Sequence, residues 1–190
     1  MKFAYITAQM PWGKGETFLI GEALEMKRQG ADFVIIPRNP PRDVFHGEAS
    51  FLLENSLWRL LLDIKIMVVF IAAVLIKISV WRVLSIIVRN SRSLFILVKN
   101  LAVLPKAVYV AGVIRKNNIG LIYCHWAATT ATMAYAAAKI AGVPWSFTLH
   151  RWDIKENNML EEKTRSAEFV RCISGHGKRE LLAIVGEKYE

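Results

Sequence analysis

Two spacings of apolar residues take turns along this chain. Short β-type runs at Phe3–Thr7, Phe33–Ile36, Ile119–Cys124, Trp145–Leu149 and Phe169–Ile173 predict five strands. Helical spacing lies between them, predicting helices over Thr17–Gln29, Thr129–Ala141, Glu156–Ser166 and Gly177–Val185. Gly30 and Gly142 stand where helix-ending glycines do, Pro37 closes the second strand, and Ser174 stands where it caps the last helix. One stretch breaks the alternation. From about Ser50 to Lys116 the pattern is helical, apolar and basic throughout, and reads as a long insertion between the second and third strands.

Strands followed by helices, with apolar β-rich strands, predict a parallel sheet covered on both faces. The expected fold is a Rossmann-like α/β domain over residues 1–190, carrying the basic helical insertion at about 50–116. No internal repeat and no Gly/Ser linker divides it. Composition agrees: 54% of residues are hydrophobic and 22% charged, enough for a packed core and unlike a disordered chain. Cys124 and Cys172 are 48 positions apart without a CxxC partner, which excludes a disulfide framework and a cysteine zinc site. Both sit in strand-like runs and read as buried thiols in a reducing compartment.

The net charge of +9 is unevenly placed. Ile64 to Trp152 holds no Asp or Glu but eleven Lys and Arg, leaving 14 basic against 16 acidic residues elsewhere. Such a region needs an anionic partner. Its cations interleave with Leu, Ile, Val and Trp rather than with the polar and aromatic residues of nucleic-acid readers, so a lipid surface is the expected partner and nucleic acid is not. The longest uninterrupted apolar run, Ile66–Ile76, covers about 16 Å as a helix, roughly half of a hydrocarbon core. A helix lying in the interface fits better than a spanning one. Arg82 and Arg89 are seven apart, as are Arg92, Lys99 and Lys106, a spacing that stacks charges along one side of a helix, and Trp58 and Trp81 suit the headgroup boundary. Core helices with a solvated basic face are the other reading.

In a parallel sheet, ligands bind beyond the carboxyl ends of the strands. After the first strand comes Pro11-Trp12-Gly13-Lys14-Gly15-Glu16-Thr17-Phe18, whose glycines let backbone N–H groups approach a phosphate or sugar. It is no dinucleotide fingerprint, because Phe18 fills the third glycine position and Arg38-Asn39 replaces the ribose-binding carboxylate. Gly177-Lys178-Arg179 is not a P-loop, and no Gly-x-Ser-x-Gly elbow exists. His125 follows the third strand, His150 the fourth with Asp153 three residues on, and Ser174 and His176 the fifth. His150 stands out, since a neighbouring carboxylate can position and polarise an imidazole. His46 lies in a polar loop, His176 reads as structural, and the set lacks the acidic partners of a metal site.

Four of these stretches together resemble the amino-terminal, acceptor-side domain of GT-B glycosyltransferases. They are Gly13-x-Gly15-Glu16-Thr17-Phe18, Tyr123-Cys124-His125-Trp126, Phe147-Thr148-Leu149-His150-Arg151-Trp152-Asp153-Ile154 and Phe169-Val170-Arg171-Cys172-Ile173-Ser174. The resemblance is to group-1/family-4-like enzymes of bacterial exopolysaccharide synthesis, including the colanic-acid type. It implies sugar transfer with retention at the anomeric carbon, usually without a required metal or cofactor, from a UDP- or GDP-sugar to a membrane-associated glycan or lipid-linked acceptor. It implies a cytoplasmic protein, peripheral on the inner face of the cell membrane. Gly13 and Gly15 would lie near the donor diphosphate and acceptor, with Glu16 and Thr17 opening the helix beside them. His150 would be the catalytic residue at the transferred sugar and Asp153 would support its loop, while His125 and Ser174 join the substrate-binding set. The family's second, nucleotide-sugar domain would begin where this sequence ends at Glu190. The chain is therefore expected to be a truncated enzyme, a half that works with a separately encoded donor domain, or a remnant that only binds a membrane surface.

Overall fold

A computed structural model describes residues 1–186; the chain's end at Glu190 lies outside them. Five strands, β1 (Phe3–Thr7), β2 (Phe33–Pro37), β3 (Leu121–Cys124), β4 (Trp145–Leu149) and β5 (Val170–Cys172), form one parallel sheet in the order β2-β1-β3-β4-β5. Phe3 pairs with both Phe33 and Leu121, Ile122 with Trp145, and Phe147 with Val170. The order reverses between β1 and β3, the place where such sheets open a crevice at their carboxyl edge. The Rossmann-like α/β fold expected from the alternation is the one observed.

Both sheet faces are covered. On one, α4 (Leu94–Lys116) packs along the alanine-rich α5 (Thr129–Ala141), and the two bury Ile6, Ile122, Cys124, Phe147 and Leu149. Small side chains on α5 let the helices approach closely, which suits the dense packing of an interior. On the other face, α1 (Thr17–Arg28) and a 3-10 segment at Gly47–Asn55 cover Tyr5, Phe33 and Ile35. Gly142 ends α5 in the left-handed region, φ 79°, with its N–H on the Ala138 carbonyl.

Several boundaries move for local reasons. β3 begins at Leu121 because Ile119 belongs to the end of α4: its N–H closes on the Ile114 carbonyl while Asn118 turns at φ 51°. The helix expected over Glu156–Ser166 is the shorter α7 (Leu160–Ser166), and a helix not expected, α6 (Arg151–Glu156), precedes it. Asn157 and Met159 take positive φ between them, and buried Asn158 bonds Asn100. Ser174 caps α8 (Gly175–Val185), its Oγ accepting the Gly177 N–H at 3.0 Å, so that helix starts two residues earlier than expected. Cys172 is half-buried rather than buried, because three-residue β5 is the sheet's edge; both cysteines are free.

The insertion is not one unit. After the 3-10 segment come α2 (Ile64–Ile76) and α3 (Ile78–Asn90), bent 99° apart at Lys77, and then α4. α4 has the length and composition to cross a membrane, yet it is a core helix of this domain, burying Val103, Leu104, Ala107, Val110 and Ile114. The Arg92, Lys99, Lys106 spacing therefore makes no surface stripe. Lys106 is fully buried, with Nζ on the carbonyls of Pro37, Arg38 and Arg59 at 2.6–2.8 Å, and Lys99 pairs with Glu156 at 2.9 Å. α2 and α3 do stay outside. Ile64, Val68, Ile71 and Leu75 form an exposed apolar stripe on α2, and Trp81, Arg82, Val88 and Arg89 are exposed on α3. The indole N–H groups of Trp58 and Trp81 are taken by the carbonyls of Pro41 and Val74, leaving only their rings to an outside partner.

Candidate functional site

The sheet delivers its chemistry at the carboxyl edge. The chain turns out of β3 at His125 and out of β4 at His150, and the two rings meet with Nε2 to Nε2 at 3.0 Å. Phe18, from the first turn of α1, tilts over both rings at centroid distances of 5.4 and 6.3 Å. Trp126 lies 4.7 Å from the His150 ring. Phe18 is half exposed and His125 is buried, so the cluster has an aromatic rim and a polar floor.

The floor has a direction. Tyr5, buried on β1, donates its hydroxyl to Glu22 Oε1 at 3.4 Å and lies 3.3 Å from His125 Nδ1. Burial and Glu22 raise the Tyr5 pKa, so it remains a phenol with a single proton. With that proton on Glu22, His125 Nδ1 must be the N–H donor to Tyr5, and a neutral His125 then accepts at Nε2 from His150 Nε2–H. Burial, His150 and Arg171 push the His125 pKa down to about 3. Burial also lowers that of His150, against the raising effect of Asp153. Both rings are neutral at pH 7. As pH falls below about 6.5 the unfolded chain takes up protons that the folded pair refuses, so the pair costs stability progressively in acid.

Asp153 hydrogen-bonds the backbone and reaches the ring only through its charge. Its Oδ2 accepts the His150 N–H and its Oδ1 the Ala128 N–H, both at 3.0 Å, which ties the β4 exit to the β3 exit. The carboxylate ties the loop and acts on the imidazole through its charge, while the ring's own hydrogen bond goes to His125. The reason is position: as third residue of α6, Asp153 reaches back to the N-cap, His150.

Glu16 has the same kind of role. Its carboxylate accepts from the backbone N–H groups of Ala8, Gln9 and Met10 and from the Trp126 indole, so it shapes the loop after β1 and has four donors already. Gly13 holds φ 78°, and a Cβ there would meet Gln9 Oε1 at 2.5 Å; the turn requires glycine. Gly15 and Thr17 are exposed beside it. Ser174 stands at the same edge after β5 with its hydroxyl given to the α8 cap. His176 lies apart from the pair, exposed and 3.1 Å from Glu180, and His46 is on the 3-10 segment's approach. Among the described residues no three His, Cys, Asp or Glu groups converge as metal ligands.

Sequence reasoning passed over Tyr5, Phe18 and Trp126 as site members. An exposed aromatic just inside a helix that starts at the crevice is a signal for Phe18; Tyr5 gives none, since a strand tyrosine reads as core. No protein-family model matches the chain, and no curated protein matches its sequence.

Proposed function

We propose that the chain is the acceptor-side domain of a retaining GT-B-type glycosyltransferase working at a membrane surface, with a UDP- or GDP-sugar bound by a donor-binding domain. One observation carries the reading. The four stretches that resemble that family, scattered over more than 150 positions, come together along one sheet edge, where Phe18, His125, Trp126 and His150 make a cluster of rings. Aromatic faces beside a few convergent polar groups suit a sugar, which offers C–H faces and hydroxyls together. The exposed apolar stripe of α2, flanked by Lys65 and Lys77, would hold the domain against the bilayer that carries the acceptor. That stripe also favours a second reading, a membrane-surface binding protein without catalysis.

Sugar incorporation separates the two. Membranes from cells that make the chain, supplied with radiolabelled UDP- and GDP-sugars, are expected to form a lipid-extractable labelled product. Membranes from cells lacking it should form less than a tenth as much, and restoring the wild-type chain should restore the product. Unchanged labelling without the chain, while the protein still binds vesicles, would select the second reading.

A further inference from the structure

We infer that Arg38 and the first turn of α5 form a binding site for a phosphate group, separate from the imidazole pair. Arg38 follows β2, and Thr129 and Thr130 open α5 just beyond β3, so the two arms meet across the end of β1, where the strand order reverses. Arg38 Nη1 donates to Thr130 Oγ1 at 3.3 Å, which fixes the guanidinium at the helix end.

Uncompensated positive charge is the leading observation. Among the described residues Arg38, Lys106 and Lys163 make no ion pair, although Arg38 is half-buried and both lysines are fully buried. Lys106 donates to the carbonyls of Pro37, Arg38 and Arg59 beneath one arm. Lys163 donates to those of Ala127 and Ala128 beneath the other, at 2.8 and 2.9 Å. The carboxylates within electrostatic reach have other work. Glu16 holds the β1 loop, Glu156 pairs with Lys99, Asp153 holds two backbone N–H groups and Asp63 meets Arg59. Burial lowers the pKa of Arg38 and brings both lysines down to about 7, the response of cations that lack a counter-charge.

The helix end supplies the second observation. α5 has 13 residues, its N-cap is Ala128 with no side-chain cap, and no acidic residue lies in its first turn. The Asp153 carboxylate takes the Ala128 N–H at this end, and the N–H groups of the first turn beyond it are left for a ligand. Thr129, its first residue, is 5% exposed, and its hydroxyl has no hydrogen-bond partner among the described residues. A guanidinium fork, a free hydroxyl and helix N–H groups together offer donors to three or more oxygens, which a phosphate has and a carboxylate lacks. The phosphate could belong to a soluble phosphate ester or to a lipid headgroup. The site does not depend on sugar transfer.

Calorimetric titration of the full chain with inorganic pyrophosphate tests it. Saturable one-to-one binding is expected, weakening as salt rises. Arg38→Gln should weaken binding roughly tenfold or more, the scale of a lost charged hydrogen bond. Thr129→Val should weaken it several-fold, to about tenfold, while leaving unliganded stability unchanged or higher, because the hydroxyl it removes is unsatisfied. Vesicles carrying a phosphomonoester lipid then separate the two sources. Displacement by pyrophosphate and weaker vesicle binding by Thr129→Val assign the phosphate to lipid; vesicle binding indifferent to both assigns it to a soluble ester. No saturable binding, or equal affinity in wild type and both variants, would overturn the site.

Discussion

If the chain works as proposed, replacing His150 by Ala in the enzyme reconstituted with its donor-binding domain is expected to lower kcat for sugar transfer by roughly 10²-fold, with a much smaller change in KM. The substitution is a clean one. Asp153 holds position 150 through its backbone N–H, and that bond survives loss of the ring, as does the Asp153 bond to Ala128. What disappears is the imidazole on His125 and the surface it shares with Trp126 and Phe18. An interaction made mainly as the diphosphate leaves shows in kcat, whereas a binding contact alone shows in KM. Both rings have lowered pKa values, so kcat is expected to be level from neutral pH upward and to fall only in acid, as the pair protonates. His176→Ala, on exposed α8, is the control and should change little. A His150→Ala protein with unaltered circular dichroism and near-normal kcat would make the ring structural.

The next largest effect concerns the membrane. Ile71 and Leu75 are 57% and 79% exposed, so changing both to Ser leaves the folded core intact and removes apolar surface only from the outward stripe. Fully burying such a side chain is worth about 1.5–3 kcal/mol. The pair should therefore weaken partitioning onto anionic vesicles by roughly 10²-fold or more. Lys65 on α2 and Arg82, Arg89 and Arg92 on and after α3 are exposed, and each is worth about 1 kcal/mol where it meets an anionic surface. Wild-type binding should then fall steeply as salt rises from low to physiological, which vesicle sedimentation measures. Equal binding to neutral and anionic vesicles would remove the electrostatic part. Undiminished binding by the double-Ser protein would remove the apolar part.

The regular parts of the fold were legible in the chain because local signals agreed with the global structure. β1, β4 and α5 lie at the expected bounds: both strands are aromatic and apolar runs, Pro144 stands before β4, and a C-cap glycine follows the alanine-rich helix. Charge in the insertion misled, since a seven-residue period cannot tell a solvated lysine from one whose long stem carries the ammonium inward. Lys99 and Lys106 share that period, and one reaches Glu156 across the domain while the other is buried against three carbonyls. In the site, placing His125 and His150 at strand ends was enough to find them, but not to pair them. Their contact depends on β3 and β4 being neighbours, and the Tyr5–Glu22 link on β1 lying beside β3 and under α1. Asp153 was found by proximity to His150, yet its carboxylate went to the backbone, the usual preference of an acid in the first turn of a helix.

Photo-labelling from the acceptor side tests the central proposal, that a membrane-held acceptor presents its sugar to the ring cluster of Phe18, His125, Trp126 and His150. Vesicles would carry a lipid-linked sugar with a photoactivatable group on the sugar ring, and labelled peptides of the full chain would be identified by mass spectrometry. Label is expected on the peptides holding His125–Trp126 and His150–Trp152, and unlabelled acceptor should suppress it. Label confined to α2 and α3, with those two peptides clean, would contradict the account and leave a surface-binding protein with no sugar site.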